Sequence, residues 1–256
     1  MEHVDVDGLR IAYERAGEGT PLLLVHGYVS DGPTTWRPQL EELSDDYTVV
    51  AWDAPGAGRS SDPPESFGMA GYADCLAGFR RALGLRGRPH VAGISFGGAL
   101  ALELYRRHRD VPGTLVLASA YAGWAGSLSP DVVEQRSSQA RALARRSPAD
   151  FVEELLPTMF TPDTAPAVVE EFGATLGAFH PIGFRAMAHA ASEDLSAVLP
   201  TITVPTLLVY GSEDTRAPLP VAQHLHAAIP GSVLVVLPDV GHLCNLEAPH
   251  QFNSAV

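Results

Sequence analysis

Several features that define other classes of protein are scarce in this chain of 256 residues. It has two cysteines, Cys75 and Cys244, which could in principle pair but which we expect to be reduced, and it has no zinc-type spacing of cysteine and histidine. No apolar run approaches the roughly 20 residues that a membrane-spanning helix needs. The first ten residues contain neither the basic nor the apolar part of a secretory signal. These absences predict a cytoplasmic protein with no metal and no membrane partner.

Positive charge is also scarce. The chain has 17 Lys and Arg against 30 Asp and Glu, a formal net charge of −13. Such a field repels a phosphate backbone and therefore argues against nucleic acid as a partner. Because 46% of the residues are hydrophobic and 18% are charged, we expect a globular protein with a substantial core.

Short apolar runs alternate with amphipathic stretches along most of the chain. Eight runs predict strands, and Asp7-Gly8 predicts a hairpin turn between the first two. The runs are VDVDG, RIAYER, PLLLVHG, YTVVAWD, HVAGIS, TLVLAS, TLLVYG and SVLVVLPD. Helical patterns cover residues 35–43, 69–83, 96–108 and 220–228. Because the later runs are apolar throughout, they predict an α/β protein with a doubly wound, mostly parallel sheet of eight strands.

The alternation breaks between residues 123 and 200. No convincing strand occurs there, and apolar residues recur at helical spacing. Ser129-Pro130 and Ser147-Pro148 each have the serine N-cap and first-turn proline of a helix start. We predict about four short helices that form a helical cap at 123–200, inserted into one core made of residues 1–122 and 201–256. The chain ends at QFNSAV within an expected last helix, which leaves room for a longer natural chain.

Residues 93–97 read GISFG, a G-x-S-x-G motif. The motif follows a predicted strand and opens a helical pattern, which is the context of a nucleophile elbow. Its sharp turn tolerates only glycine beside the serine and exposes the hydroxyl above a helix N-terminus, where developing negative charge is favoured. A glycine-rich turn without chemistry would also fit the motif alone, but this context favours Ser95 as a nucleophile.

One of the ten histidines stands where a general base is needed. His242 follows the last predicted strand, at the edge of the sheet where Ser95 also emerges. The strand TLLVYG leads into Glu213 and Asp214, and either carboxylate could orient the histidine. The resulting chain order of serine, acid and histidine is neither that of chymotrypsin nor that of subtilisin.

An oxyanion hole requires two backbone N–H donors close to the nucleophile. Phe96 follows Ser95 directly and provides the first donor. The loop after the run PLLLV should provide the second, and we choose the N–H of Tyr28. His26 lies in the same loop, and we expect it to fix the loop by hydrogen bonds rather than to react.

Together these motifs resemble the α/β-hydrolase superfamily over essentially the whole chain. The resemblance is carried by LLLVHGY, WDAPGAGRSS, GISFGGALALEL, LLVYGSED and VLPDVGHLCNLEAP. It implies the α/β-hydrolase fold with a helical cap, identifies Asp214 as the acid with Glu213 as the fallback, and makes Asp53 part of a structural turn. Serine at position 95 disfavours the haloalkane dehalogenases and epoxide hydrolases of this fold, which use aspartate. GHLCNLEAP looks like the 3-oxoadipate enol-lactonases and related lactone or ester hydrolases.

The sequence therefore predicts a carboxylic-ester hydrolase, without a cofactor, that acts on small to medium neutral esters or lactones through an acyl-enzyme. Its expected substrate pocket contains apolar cap residues: Trp124, Met159, Phe160, Phe184 and Met187. Three alternatives stay open: a carbon–carbon hydrolase or perhydrolase with the same triad, a ligand receptor with slow turnover, and a non-catalytic scaffold. We expect a small-molecule substrate as the partner and a monomer or homodimer as the assembly.

Overall fold

The computed structural model describes residues 1–64 and 66–256. Within these residues a single sheet contains eight strands: β1 (Glu2–Val6), β2 (Leu9–Ala16), β3 (Thr20–Val25), β4 (Tyr47–Trp52), β5 (His90–Ile94), β6 (Thr114–Ala118), β7 (Thr206–Gly211) and β8 (Val233–Leu237). Their order across the sheet is β1-β2-β4-β3-β5-β6-β7-β8. The pairs β1–β2 and β2–β4 are antiparallel, and every other pair is parallel. The predicted eight-stranded, mostly parallel sheet is confirmed.

The first two strands form the predicted hairpin. Val6 pairs with Leu9, and the two residues between them have positive φ angles, 51° at Asp7 and 84° at Gly8. This left-handed backbone is required by the type I′ turn that matches the twist of a two-stranded ribbon, and Asp-Gly is among the pairs that adopt it most readily.

Helices connect the strands and cover the sheet. In chain order they are α1 (Gly32–Glu42), α2 (Gly68–Ala82), α3 (Phe96–Arg107), α4 (Pro130–Leu143), α5 (Pro148–Leu155), α6 (Pro166–Gly177), α7 (Pro181–Ala191), α8 (Leu219–Ala228), α9 (Cys244–Glu247) and α10 (Pro249–Ala255). Helix α1 begins at Gly32 rather than at residue 35, because the Asp31 carboxylate accepts a hydrogen bond from the N–H of Thr34 at 2.8 Å and caps the helix.

The core lies on both sides of the central strands. Residues 22–25 of β3 are almost fully buried, as are the large side chains of Trp52 and Phe79. Helices α2 and α3 pack against each other, and α3 also packs on β5 and β6. Helix α1 packs on β3 and β4 and also contacts α10. This coverage explains why the central strands read as continuous apolar runs.

Helices α4–α7, called the inserted helices below, lie between β6 and β7. Helix α4 begins at Pro130 and α5 at Pro148, as the serine-proline pairs predict, and the Ser147 hydroxyl accepts the N–H of Asp150 at 3.2 Å. Helix α6 contacts α1, and α7 contacts α2 and α3, so the inserted helices pack onto the core. A division of the chain exactly at residues 123 and 200 stays a prediction.

Candidate active site

Ser95 lies in a sharp turn between β5 and α3. Its φ angle is +54° and its ψ angle −115°, a conformation that costs free energy for a residue with a side chain. The Ser95 N–H donates to the carbonyl of Ala118 at 2.9 Å, which fixes the turn to the neighbouring strand. A side chain on Gly93 or Gly97 would collide with backbone atoms, so both glycines of the motif are sterically required. The turn thus has the geometry of a nucleophile elbow.

His242 and Asp214 form a buried pair on the loops after β8 and β7. His242 Nδ1 lies 3.0 Å from Asp214 Oδ1 and 2.9 Å from Oδ2. Asp214 Oδ1 also accepts the N–H groups of Arg216 at 2.9 Å and Ala217 at 2.8 Å. Because Nδ1 donates to a carboxylate, Nε2 of His242 is left as the nitrogen that can take up a proton.

The environment of Asp214 keeps this carboxyl group ionised. Burial alone would raise its pKa, but the charge of His242 and hydrogen bonds from His242 and Ala217 hold the pKa below its ordinary value. The neighbouring Glu213 is exposed, and its carboxylate accepts a hydrogen bond from the Ser212 hydroxyl at 3.3 Å. Of the two acids left open by the sequence, the structure therefore places Asp214 against the histidine.

Ser95 and His242 line the same small space, called the inner cavity below, with a volume of about 10 Å³. Its other walls are formed by residues 27–30 and by Thr35, Ile94, Met159, Phe172 and Leu243. This volume holds about one water molecule, so the site is shielded from bulk solvent. The structure contains no hydrogen bond between the Ser95 hydroxyl and His242 Nε2 among the described residues, and such contacts often tighten only when substrate binds.

Two backbone N–H groups lie beside Ser95. Phe96 begins α3, so its N–H is one of those that a helix leaves unpaired. The Tyr28 N–H donates no hydrogen bond within residues 1–64 and 66–256. A methyl group on the preceding Gly27 would lie 3.8 Å from Cβ of Ser95, so this loop passes directly beside the serine. The predicted donors are thus adjacent to the predicted nucleophile.

His26 and Asp53 hold the loop that carries Tyr28. The N–H of Ala54 donates to His26 Nε2 at 2.9 Å, and His26 Nδ1 contacts the carbonyl of Gly27 at 2.5 Å. Burial lowers the pKa of His26 to about 4, so the ring is neutral and Nδ1 carries the proton. Asp53 accepts the N–H of Gly32 at 3.0 Å, and burial raises its pKa to about 6. His26 therefore fixes the loop, as predicted, and Asp53 has a structural setting.

Comparisons with known proteins agree with this geometry. The sequence model of the alpha/beta hydrolase family matches residues 22–255. This chain belongs to the alpha/beta hydrolase family. A thermophilic esterase from Thermogutta terrifontis, solved with malate bound, is 32% identical with a TM-score of 0.90, and the match covers 99% of this chain and 95% of that chain. An enol-lactonase from Burkholderia xenovorans LB400 is 26% identical with a TM-score of 0.89, over 99% and 97% of the two chains.

One relative that is longer than this chain is named as an acetyltransferase component. The dihydrolipoyllysine-residue acetyltransferase component of an acetoin cleaving system from Cupriavidus necator is 30% identical over 99% of this chain and 67% of that protein. The resemblance inferred from the motifs is thus confirmed for the family and its fold. An activity does not follow from the fold alone and has to be argued from the site.

A second space, called the outer cavity below, lies next to the alpha/beta hydrolase site and has a volume of about 330 Å³. It shares Tyr28, Val29 and Ser30 with the inner cavity and lies between the core loops and helices α6 and α7. Phe184 and Met187 line the outer cavity, whereas Met159 lines the inner one. Three of the five predicted pocket residues therefore lie at these cavities.

Trp124 and Phe160 line neither cavity, so their part in a substrate pocket stays a prediction. The Trp124 ring packs edge-on against Tyr28 at 5.9 Å, and the Phe160 ring packs edge-on against Phe172 at 5.4 Å. Both aromatic rings therefore support lining residues from behind. Phe172 of α6 lines the inner cavity together with Ser95.

Arg216 is a residue of this site that the sequence did not indicate. Its guanidinium donates to the Tyr28 hydroxyl at 2.9 Å and to the Thr158 hydroxyl at 2.8 Å. Its backbone N–H donates to Asp214. Arg216 thus connects the acid, the loop with the Tyr28 N–H, and the segment between α5 and α6. Its position two residues after the acid carried no recognisable signal.

Glu247 connects the histidine loop to the segment between α5 and α6. Its carboxylate accepts the N–H of Gly241 at 3.0 Å, the N–H of Thr161 at 2.9 Å and the hydroxyl of Thr164 at 2.8 Å. The loop that precedes His242 is therefore tied to the chain segment that covers the serine.

The described residues form neither a metal site nor a membrane-spanning helix. Within residues 1–64 and 66–256, no group of three or more His, Cys, Asp or Glu side chains is arranged to hold a metal ion. In the same part of the chain, none of the helices has both the length and the apolar character needed to cross a bilayer. The thiols of Cys75 and Cys244 are both free and buried.

Proposed function

We propose that this hydrolase cleaves carboxylic esters or lactones of small to medium, neutral substrates through an acyl-enzyme, with Ser95, His242 and Asp214 as its catalytic triad. The proposal rests on one observation: the turn that carries Ser95 and the Asp214–His242 pair meet at the inner cavity. Ser95 stands in a strained elbow with φ +54°, and the Asp214–His242 pair reaches the same cavity from two other loops. A serine presented in this way beside an oriented histidine suits acyl transfer.

The proposed mechanism has two half-reactions, and His242 takes up and gives back a proton in each. The Ser95 hydroxyl attacks the acyl carbon while Nε2 of His242 takes up its proton. The N–H groups of Phe96 and Tyr28 stabilise the oxyanion. His242 then protonates the departing alkoxide. A water molecule that gives its proton to the same histidine attacks the acyl carbon, and His242 returns this proton to Ser95 Oγ as the acid leaves. Asp214, ionised in the structure, stabilises the imidazolium that forms in between.

The inner cavity supports a neutral acyl group. Met159, Phe172 and Leu243 give it apolar walls, whereas the outer cavity has Asp31 and Arg59 beside its apolar lining residues. An ionised group in the inner cavity would lose hydration without a compensating charge. The esterase and enol-lactonase among the similar solved structures support the same reaction class for this chain.

A panel of 4-nitrophenyl esters from acetate to decanoate, with a five-membered lactone, tests the proposal on the purified protein. We expect steady-state turnover of at least one member and its loss in Ser95→Ala. Binding without turnover would instead favour a ligand receptor. Turnover that Ser95→Ala leaves intact would refute the proposed mechanism.

A further inference from the structure

Two buried hydroxyl groups beside Ser95 have no hydrogen-bond partner among the described residues: Ser30 Oγ and Thr35 Oγ1. Ser30 is 7% exposed and Thr35 is 1% exposed. Both residues line the inner cavity with Ser95 and His242. Buried hydroxyls are normally paired because an unpaired one has lost water without gaining a partner. Two of them at one reactive site therefore point to a ligand that pairs with them.

The local backbone fixes the positions of Ser30 and Thr35 but forms no hydrogen bond with either hydroxyl. Thr35 lies in the first turns of α1, where a threonine hydroxyl can bond to the carbonyl four residues earlier. Here the carbonyl of Asp31 accepts the Thr35 N–H at 3.2 Å, and the hydroxyl stays unpaired. The Thr35 carbonyl is fixed by the side-chain amide of Asn245 at 2.6 Å. Ser30 immediately precedes Asp31, which already caps the helix through Thr34.

The rest of the inner cavity limits the kind of group that these hydroxyls could bind. No Lys, Arg, Asp or Glu lines it in the described part of the chain, so an ionised substrate group would be buried without a counter-charge. A neutral oxygen atom can accept a hydrogen bond from either hydroxyl at no such cost.

The sizes of the two cavities indicate which part of the substrate lies there. The inner cavity has about 10 Å³ against about 330 Å³ for the outer one. As it stands, the inner cavity admits about one water-sized group, so a short acyl group enters it only when its walls move apart, and the larger alcohol part suits the outer cavity.

We propose that Ser30 and Thr35 form a polar subsite that selects short acyl groups with a neutral oxygen atom, of the ether, keto or hydroxyl class, close to the scissile carbonyl. This inference rests on the proposed function, because an acyl group enters the inner cavity for attack by Ser95. It narrows the substrate class from neutral esters in general to esters of short oxygen-substituted acids.

Two esters with acyl chains of equal length test the inference. In 4-nitrophenyl methoxyacetate an ether oxygen replaces one methylene group of 4-nitrophenyl butyrate. Each kcat/KM is divided by the hydroxide-catalysed rate of the same ester, which removes the difference in intrinsic reactivity. We expect the wild type to favour methoxyacetate by about tenfold or more after this correction. In the double variant Ser30→Ala/Thr35→Val the corrected ratio should fall towards one.

Thr206→Val is the matched control. The Thr206 hydroxyl is buried at the opposite end of the sheet and donates to the carbonyl of Val204 at 3.0 Å. This control should keep the wild-type ratio and lower the melting temperature, because a satisfied hydrogen bond is lost. The double variant should keep or raise the melting temperature, because neither hydroxyl has a protein partner to lose.

The outcomes separate the inference from the proposed function. If the wild type hydrolyses both esters and the double variant has the same corrected ratio, the subsite is refuted and the proposed function stands. That result would also be expected if a bound water permanently satisfied the two hydroxyls. If the wild type hydrolyses neither ester, nor any other ester or lactone of the panel, both proposals fail.

Discussion

The proposed triad and the walls of the two cavities are built by different physical means. Ser95, Asp214 and His242 follow the carboxyl ends of β5, β7 and β8, and backbone strain and short hydrogen bonds fix them. Much of the cavity wall comes from the inserted helices, where Phe184 stacks on Tyr28 with ring centres 5.4 Å apart. Changes in the first region should therefore alter the rate for every substrate. Changes in the second should alter which substrate is preferred.

The largest effect is expected for Ser95→Ala. Without the nucleophile, covalent catalysis fails, and hydrolysis should fall by roughly four or more orders of magnitude for all substrates. Ser254→Ala, at an exposed serine of α10 that bonds to the carbonyl of His250, is the control and should keep wild-type rates. Steady-state kinetics with circular dichroism of both variants gives the comparison. Substantial activity in Ser95→Ala would contradict the assignment of Ser95 as the nucleophile.

The second effect concerns the choice between neighbouring acids. Asp214→Asn should lower kcat by about a thousandfold or more, because the imidazole loses its orienting charge and adopts the wrong tautomer. Glu213→Gln should be nearly neutral, because this side chain is exposed and does not contact His242. Kinetics on the pair would contradict the assignment if the two variants exchanged these phenotypes.

The triad was more predictable from the sequence than the cavity walls. Ser95 was predictable because a G-x-S-x-G turn between strand and helix has a local cause, the clash that any side chain at Gly93 or Gly97 would create. The local sequence does not decide between Glu213 and Asp214. The decision depends on which carboxylate accepts hydrogen bonds from the backbone N–H groups of the turn that follows. The resemblance to the family selects Asp214, and in the structure the Asp214 carboxylate accepts the hydrogen bond from the N–H of Ala217.

The cavity walls were less predictable, because helical spacing shows which face of a helix is apolar but not what covers it. Met159 and Phe184 were predicted to line the pocket and lie at the cavities, whereas Trp124 was predicted there and supports Tyr28 from behind. Polar residues such as Ser30 and Arg216 gain their significance from neighbours distant in sequence. No local pattern marks them.

The third effect concerns the dependence of stability on pH, through two buried groups behind Tyr28. The unfolded chain protonates His26 near pH 6.5, but burial delays this to about pH 4 in the folded protein. As the pH falls through this window, His26 should lower the free energy of unfolding by an amount on the order of 3 kcal/mol at the limit. Asp53 acts in the opposite direction, because its folded pKa of about 6 lies above the ordinary value of 3.8.

Urea unfolding at pH 7, 6 and 5 measures both contributions. His26→Gln should flatten the loss of stability in acid, and Asp53→Asn should steepen it. If neither variant changes the dependence of stability on pH, burial does not shift the pKa values of His26 and Asp53, and the prediction is wrong.

The smallest effect concerns substrate preference in the second region. Met159→Ala enlarges the inner cavity and Phe184→Ala the outer one, so each should shift the preferred acyl chain length or alcohol size by about tenfold. Trp124→Ala should shift the preference less, because this ring lies behind Tyr28. Values of kcat/KM across the ester panel give the profile. A profile that none of the three variants changes would mean that the inserted helices do not select the substrate.

The central claim is that Ser95 is the nucleophile of this hydrolase, and covalent labelling tests it most directly. A serine-directed phosphonate is incubated with the native protein, and intact mass and peptide mapping follow. The account predicts a single added mass, located on Ser95, and no addition to Asp214→Asn at a comparable rate, because the base is then misoriented. Labelling of a different residue, or none under conditions that label a known serine esterase, would contradict it.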